Sequence, residues 1–182
     1  MTPLAFIVGS AFGMFFLKMA KLGARLGGMI KNNLVKGVLG GMILCAFALC
    51  SSYFLWSGAF TLWKMVGEAA VLGPVMLIIL AVGKAVLTNV TFGLGLRGGT
   101  IFPAIFSSVA LGLAFALLLP WSQNLLVVVI TAASVSMIVG RPKLVALLLI
   151  FLFTLRLAPV IVIVCWLSEQ CLNSNWLLEK MK

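Results

Sequence analysis

Neither aspartate nor histidine occurs in this chain, and its only acids are Glu68, Glu169 and Glu179. General acid–base chemistry, carboxylate or imidazole metal sites and any Ser/His/Asp set are thereby left without their groups. No GK[ST] phosphate loop and no HExxH pair is present either. No enzyme, no metal and no cofactor is expected. Charge of any kind is scarce, at 9 % of residues against roughly 25 % in soluble domains. The four cysteines, Cys45, Cys50, Cys165 and Cys171, form no CxxC pair. They read as buried small apolar residues.

What fills the chain instead is hydrocarbon: 64 % of residues are hydrophobic and the mean hydropathy is +1.28. The apolar runs are too many and too long for one soluble core, so the chain reads as an all-α integral membrane protein with several passes. The formal charge of +10 would suggest nucleic acid in a soluble protein; here it reports topology, and no nucleic-acid partner is expected. Lys18, Lys21, Arg25, Lys31 and Lys36 fall between the first and second apolar runs, which marks a cytoplasmic loop. Lys180 and Lys182 place the C-terminus on the same side. Basic residues follow rather than precede the first run, so no cleavable signal peptide is expected. A bacterial inner or plasma membrane is the expected location.

Residues 3–17 continue into an amphipathic stretch through Gly28, one long helix, with Gly9 and Gly13 at small-xxx-small spacing for close packing. A second helix is expected over 34–51. Residues 52–73 are more polar and aromatic, with Tyr53, Trp56, Trp63 and Lys64, and suit an interfacial re-entrant or short helix. Pro74 opens a third run to about Phe92 that carries Lys84 and Thr88. Lysine there either snorkels, makes a structural contact or faces an anion path. The runs 125–139, 143–155 and 158–167 are too short for upright crossings and predict tilted or broken helices packed on protein. Residues 168–182 are polar enough to leave the membrane.

Between the third run and the next lies Gly93-Leu94-Gly95-Leu96-Arg97-Gly98-Gly99-Thr100-Ile101-Phe102-Pro103. Its glycines let the backbone bend sharply and approach a ligand with no Cβ in the way. Pro103 suits the first turn of a helix over 100–119. The first amides of a helix have no intrahelical acceptor and carry the positive dipole end, so at membrane depth they need an anion or another acceptor, and an anion site is the leading expectation. Gly99, Thr100, Ile101, Phe102 and Pro103 are therefore the candidate anion-binding residues.

The order Lys84, Thr88, Gly98-Gly99-Thr100-Ile101-Phe102-Pro103, Gly112, Arg141-Pro142 and Pro159 resembles the C-terminal half of the CLC chloride channels and transporters. The family's G-x-F-x-P motif opens the helix whose backbone amides bind chloride, and here Ile101 stands in place of the usual Phe. The resemblance implies a CLC-like membrane domain over 1–172, the second of two inverted repeats, followed by a cytoplasmic tail or final helix start over 173–182. The first repeat's G-S-G-I-P and G-K/R-E-G-P motifs do not occur, and Glu68 lies in no such context. A Tyr near the start of the family's last helix contacts the central anion; the nearest counterpart here is Trp176, whose indole N–H can donate. Phe151 stands where the family usually has a Glu.

The resemblance implies chloride transport across the lipid bilayer, with homodimer pairing through parts of 125–167, a separate N-terminal CLC half as partner, or both. A different class stays open: a non-conducting remnant or assembly subunit. Arg97 either raises the local anion concentration at the mouth or anchors the loop to carbonyls.

Overall fold

The computed structural model describes residues 2–55, 58–119, 122–153 and 155–173. Trp176 lies outside the described residues. The described residues are all-α: α1 (Thr2–Met29), α2 (Asn33–Cys50), a 3-10 turn (Ser52–Phe54), α3 (Leu62–Gly67), α4 (Ala69–Gly93), α5 (Ile101–Leu118), α6 (Gln123–Val139), α7 (Pro142–Leu152), a second 3-10 turn (Leu155–Leu157) and α8 (Ala158–Asn173). Of these, α1, α2, α4 and α5 are long and apolar enough to cross a membrane.

The expected boundaries hold for α1 and α2, and two others shift for physical reasons. Helix α4 begins before Pro74, at Ala69, but Gly73 has φ 74° inside it. A residue at that φ breaks the helix, so Pro74 still opens the straight segment that follows. Helix α8 does not stop at 167 and give way to a polar tail; it runs to Asn173. Its polar residues are absorbed locally: the Ser168 hydroxyl donates to the Val164 carbonyl at 2.9 Å, and Glu169 pairs with Lys143 at 3.3 Å. The cysteine expectation holds for Cys165, which is buried and accepts from Ser136. It fails for Cys45 and Cys50, which are exposed. Both sit on α2, whose one buried residue is Gly40, so most of that helix has no protein neighbour to bury them.

Helices α1, α4, α5 and α6 form the packed block. Gly9 and Gly13 of α1 lie against α6 so closely that an added Cβ would stand 2.6 Å from the Ile130 carbonyl oxygen and 2.8 Å from that of Ser134. The small-xxx-small spacing thus marks a packing seam. Farther along, a Cβ on Gly23 would overlap the Asn89 carbonyl of α4, and one on Gly93 would overlap Gly23. The Asn89 side chain donates across the same seam to the Phe16 carbonyl at 3.3 Å. A Cβ on Gly112 of α5 would stand 2.8 Å from the Val127 Cα of α6, and Ser134 donates to Ser108 at 2.5 Å.

These contacts set relative directions. Residues 9 and 13 meet 130 and 134, so α1 and α6 run the same way; 23 and 27 meet 89 and 93, so α4 joins them; 108 and 112 meet 134 and 127, so α5 runs opposite. Lys18, Lys21, Arg25, Lys31, Lys36, Arg97, Arg141 and Lys143 therefore cluster toward one end of the bundle. Lys64 and Arg156 belong to the other, where Leu62, Trp63, Gln123, Asn124 and Leu157 surround a cavity of about 230 Å³.

Candidate anion site

The site is built where α4 stops. Leu94 caps the helix, the Gly95 amide donates to Phe92 at 3.0 Å and the Leu96 amide to Thr91 at 3.1 Å. This is a Schellman end, and its C′ residue needs a positive φ. Gly95 supplies it, at 91°. Leu96 then packs on α2, where its Cδ1 occupies the space a Cβ on Gly40 would take. The chain is thus pinned on both sides before it reaches Arg97.

From Arg97 to Phe102 the residues are exposed. Gly98 sits on the Phe92 ring, whereas a Cβ on Gly99 would meet nothing within 4 Å. Thr100 is the N-cap of α5, in αR geometry, and its side chain makes no capping bond. The α5 ladder begins with the Ala104 amide donating to Thr100 at 3.1 Å. Among the described residues, no acceptor pairs with the amides of Thr100, Ile101 or Phe102. Pro103, the third helical residue, has no N–H to leave orphaned and is buried. A helix of 18 residues therefore presents a short row of free donors at its positive end.

A cavity of about 320 Å³ lies beside this row, lined in part by Lys84, Thr88, Arg97, Gly98, Gly99 and Pro103. Of the sequence-derived candidates, Gly99 and Pro103 are in its wall. Thr100, Ile101 and Phe102 are not; Ile101 is 37 % and Phe102 50 % exposed. The break thus faces the cavity on one side and open space on the other.

Lys84 closes the inner end. It is 1 % exposed, so it does not snorkel. Its ammonium donates to the carbonyls of Tyr53, Phe54 and Leu55 at 3.2, 2.9 and 3.1 Å and lies 5.4 Å from the centroid of the Phe106 ring. The structural contact expected of it is therefore real, and it also stands in the cavity wall. The turn it holds is fixed a second time, because the Tyr53 hydroxyl donates to Glu68. Burial first, and then the Glu68 carboxylate, push the Tyr53 phenol up to about 12, so it remains a donor throughout the neutral range. Arg97 forms no hydrogen bond among the described residues, which gives no support to its anchoring the loop.

The sequence reading undervalued Thr88 and Leu96. Thr88 stands four residues after Lys84, which puts both on one face of α4; that spacing was the available signal. Leu96 had none, since its partner Gly40 is remote in sequence.

Residues 1–173 match the voltage gated chloride channel family. The chain belongs to that family. No curated protein and no solved structure matches it. Membership in a family of channels and transporters supports a chloride channel or transporter type of function, in an integral multi-pass setting that the four apolar helices share.

Proposed function

We propose that this chain supplies one half of a chloride pathway, with the anion held by backbone amides of Thr100, Ile101 and Phe102 at the start of α5, where Gly99 leaves room for close approach. The observation that carries this reading is the row of amides without acceptors, set at a break between two membrane-length helices beside a cavity. Oriented neutral dipoles replace water around a chloride without trapping it as a full charge would, which permits passage. Arg97 at the exposed mouth raises the local anion concentration. Under the positive-inside rule, the end carrying Lys18 to Lys36, Arg97, Arg141 and Lys143 is cytoplasmic, so this mouth opens inward.

Because Ile101 and Phe102 are exposed, one chain covers the amide row from one side only. A second polypeptide carrying the N-terminal CLC half completes it. Homodimer pairing uses α7 and α8, where Leu147, Phe151, Ile163 and Trp166 are exposed. The same exposure favours a second reading, a non-conducting assembly subunit, since a half-covered site binds weakly.

Chloride efflux from liposomes separates the two. The chain is reconstituted alone and with a chain carrying Gly-Ser-Gly-Ile-Pro, each as wild type and as Gly99→Leu. Efflux that collapses in Gly99→Leu supports the pathway, whereas folded protein that passes no chloride in any combination leaves the assembly subunit.

A further inference from the structure

Buried hydroxyls on α4, α5 and α8 share one habit. Thr91 donates to the Leu87 carbonyl at 2.8 Å, Ser107 to Pro103 at 2.8 Å, Ser108 to Ala104 at 2.7 Å and Ser168 to Val164 at 2.9 Å. Back-bonding to the preceding turn is the nearest way for a hydroxyl to satisfy itself in an apolar interior. Leaving it unmade costs about 1–3 kcal/mol. Thr88 departs from the habit. It is 6 % exposed, and among the described residues its hydroxyl makes no hydrogen bond, although its own carbonyl accepts from Thr91 at 3.1 Å. Nor is it sealed away, as the unpartnered hydroxyls of Ser10 and Thr131 are. Thr88 lines the 320 Å³ cavity with Gly98, Gly99 and Pro103.

We propose that the Thr88 hydroxyl is a side-chain donor to the transported anion inside this cavity, a station inboard of the α5 amides. The proposal rests on the anion pathway described above and adds a ligand to it. The chemistry fits a small monovalent anion. A neutral O–H offers one hydrogen bond to an acceptor, and Lys84 in the same wall disfavours a cation. Leu44, Leu87 and Phe92 in the lining supply no competing acceptor through their side chains. A hydroxyl donor discriminates between anions by how strongly each accepts, so removing it weakens chloride relative to thiocyanate, which is weakly hydrated.

The test uses Thr88→Val, which keeps the shape and loses the donor, and Thr88→Ser, which restores it. Both are compared with wild type and Gly99→Leu for efflux of chloride and of thiocyanate from liposomes, in whichever reconstitution conducts. Thr88→Val is expected to slow chloride efflux about fivefold, the factor matching one ordinary hydrogen bond, and to shift selectivity toward thiocyanate. Thr88→Ser should remain near wild type, with thermal midpoints unchanged in both. Wild-type chloride flux and selectivity in Thr88→Val, while Gly99→Leu fails to conduct, would overturn the role of Thr88 and leave the pathway standing. A loss in Val that Ser does not restore also overturns it, because the hydroxyl was then not the cause. Indifference of both Thr88→Val and Gly99→Leu, or no wild-type efflux, removes the pathway itself and the Thr88 ligand with it.

Discussion

Glycine is used in two opposite ways in this protein, and the contrast separates what holds the fold from what the proposed anion site requires. Along the α1 seams, Gly9, Gly13 and Gly23 are glycine because a neighbouring backbone occupies the place of the Cβ. At the break, Gly99 has nothing within 4 Å of that place, and its φ is not among the positive ones. Neither sterics nor conformation inside this chain requires glycine at 99. Empty space beside free amides is what a ligand site needs and what a packing seam cannot tolerate. Mutations that fill the two kinds of space should therefore fail in different assays.

The largest effect is expected in the seam. Gly23→Ala drives a methyl into the Asn89 carbonyl and forces α1 and α4 apart. The cost is about 3 kcal/mol, the upper part of the overpacking range, because the obstacle is backbone and cannot rotate away. Size-exclusion profiles and thermal midpoints of the purified protein should register it, and a Gly23→Ala protein of unchanged stability would dissolve the contrast at its root.

Next comes Lys84, which belongs to both regions. Lys84→Met keeps the length of the side chain but leaves the carbonyls of Tyr53, Phe54 and Leu55 without their shared donor. A hydrogen bond involving a charged group is worth about 1.5–3 kcal/mol, so stability should fall by about 2 kcal/mol. Chloride efflux falls with it, since the cavity wall is lost. If efflux stops while the thermal midpoint stays put, Lys84 acts on the anion and its structural role is minor.

Gly99→Leu should show the reverse pattern: an unaltered thermal midpoint with efflux reduced tenfold or more, equivalent to about 1.4 kcal/mol. Gly99→Ala, the smaller obstruction, should fall between Leu and wild type. A graded loss of transport at constant stability marks space reserved for a ligand, and equal loss of both would return Gly99 to the packing class.

How much of this was legible beforehand follows from the range of each interaction. The break was legible, because its cues are local: clustered glycines, a proline in the first turn and two long apolar flanks. Helix α1 was legible through residue spacing alone. The end of α8 was misjudged because Ser168 and Glu169 look solvent-bound in sequence, and their partners are the Val164 carbonyl one turn back and Lys143 on α7. The fate of Lys84 could not be decided either, since its acceptors are main-chain carbonyls about thirty residues away. Every carbonyl looks alike in a sequence. Exposure of Cys45 and Cys50 likewise depends on α2 having so little packed against it, a fact of assembly rather than composition.

Arg97 provides the finest division between the two regions. Unlike Lys84 it is exposed and tied to nothing among the described residues, so it contributes little to the fold, and in the proposed pathway it acts on the anion only through its field. Arg97→Gln should leave the thermal midpoint unmoved and reduce chloride efflux about twofold at low ionic strength. Screening decides the mechanism. The Debye length shrinks from about 30 Å at 0.01 M to about 3 Å at 1 M salt, so the deficit should shrink as an inert electrolyte is added on both sides. A deficit that persists in high salt would mean that the guanidinium touches the anion, moving Arg97 from the mouth of the pathway into the site.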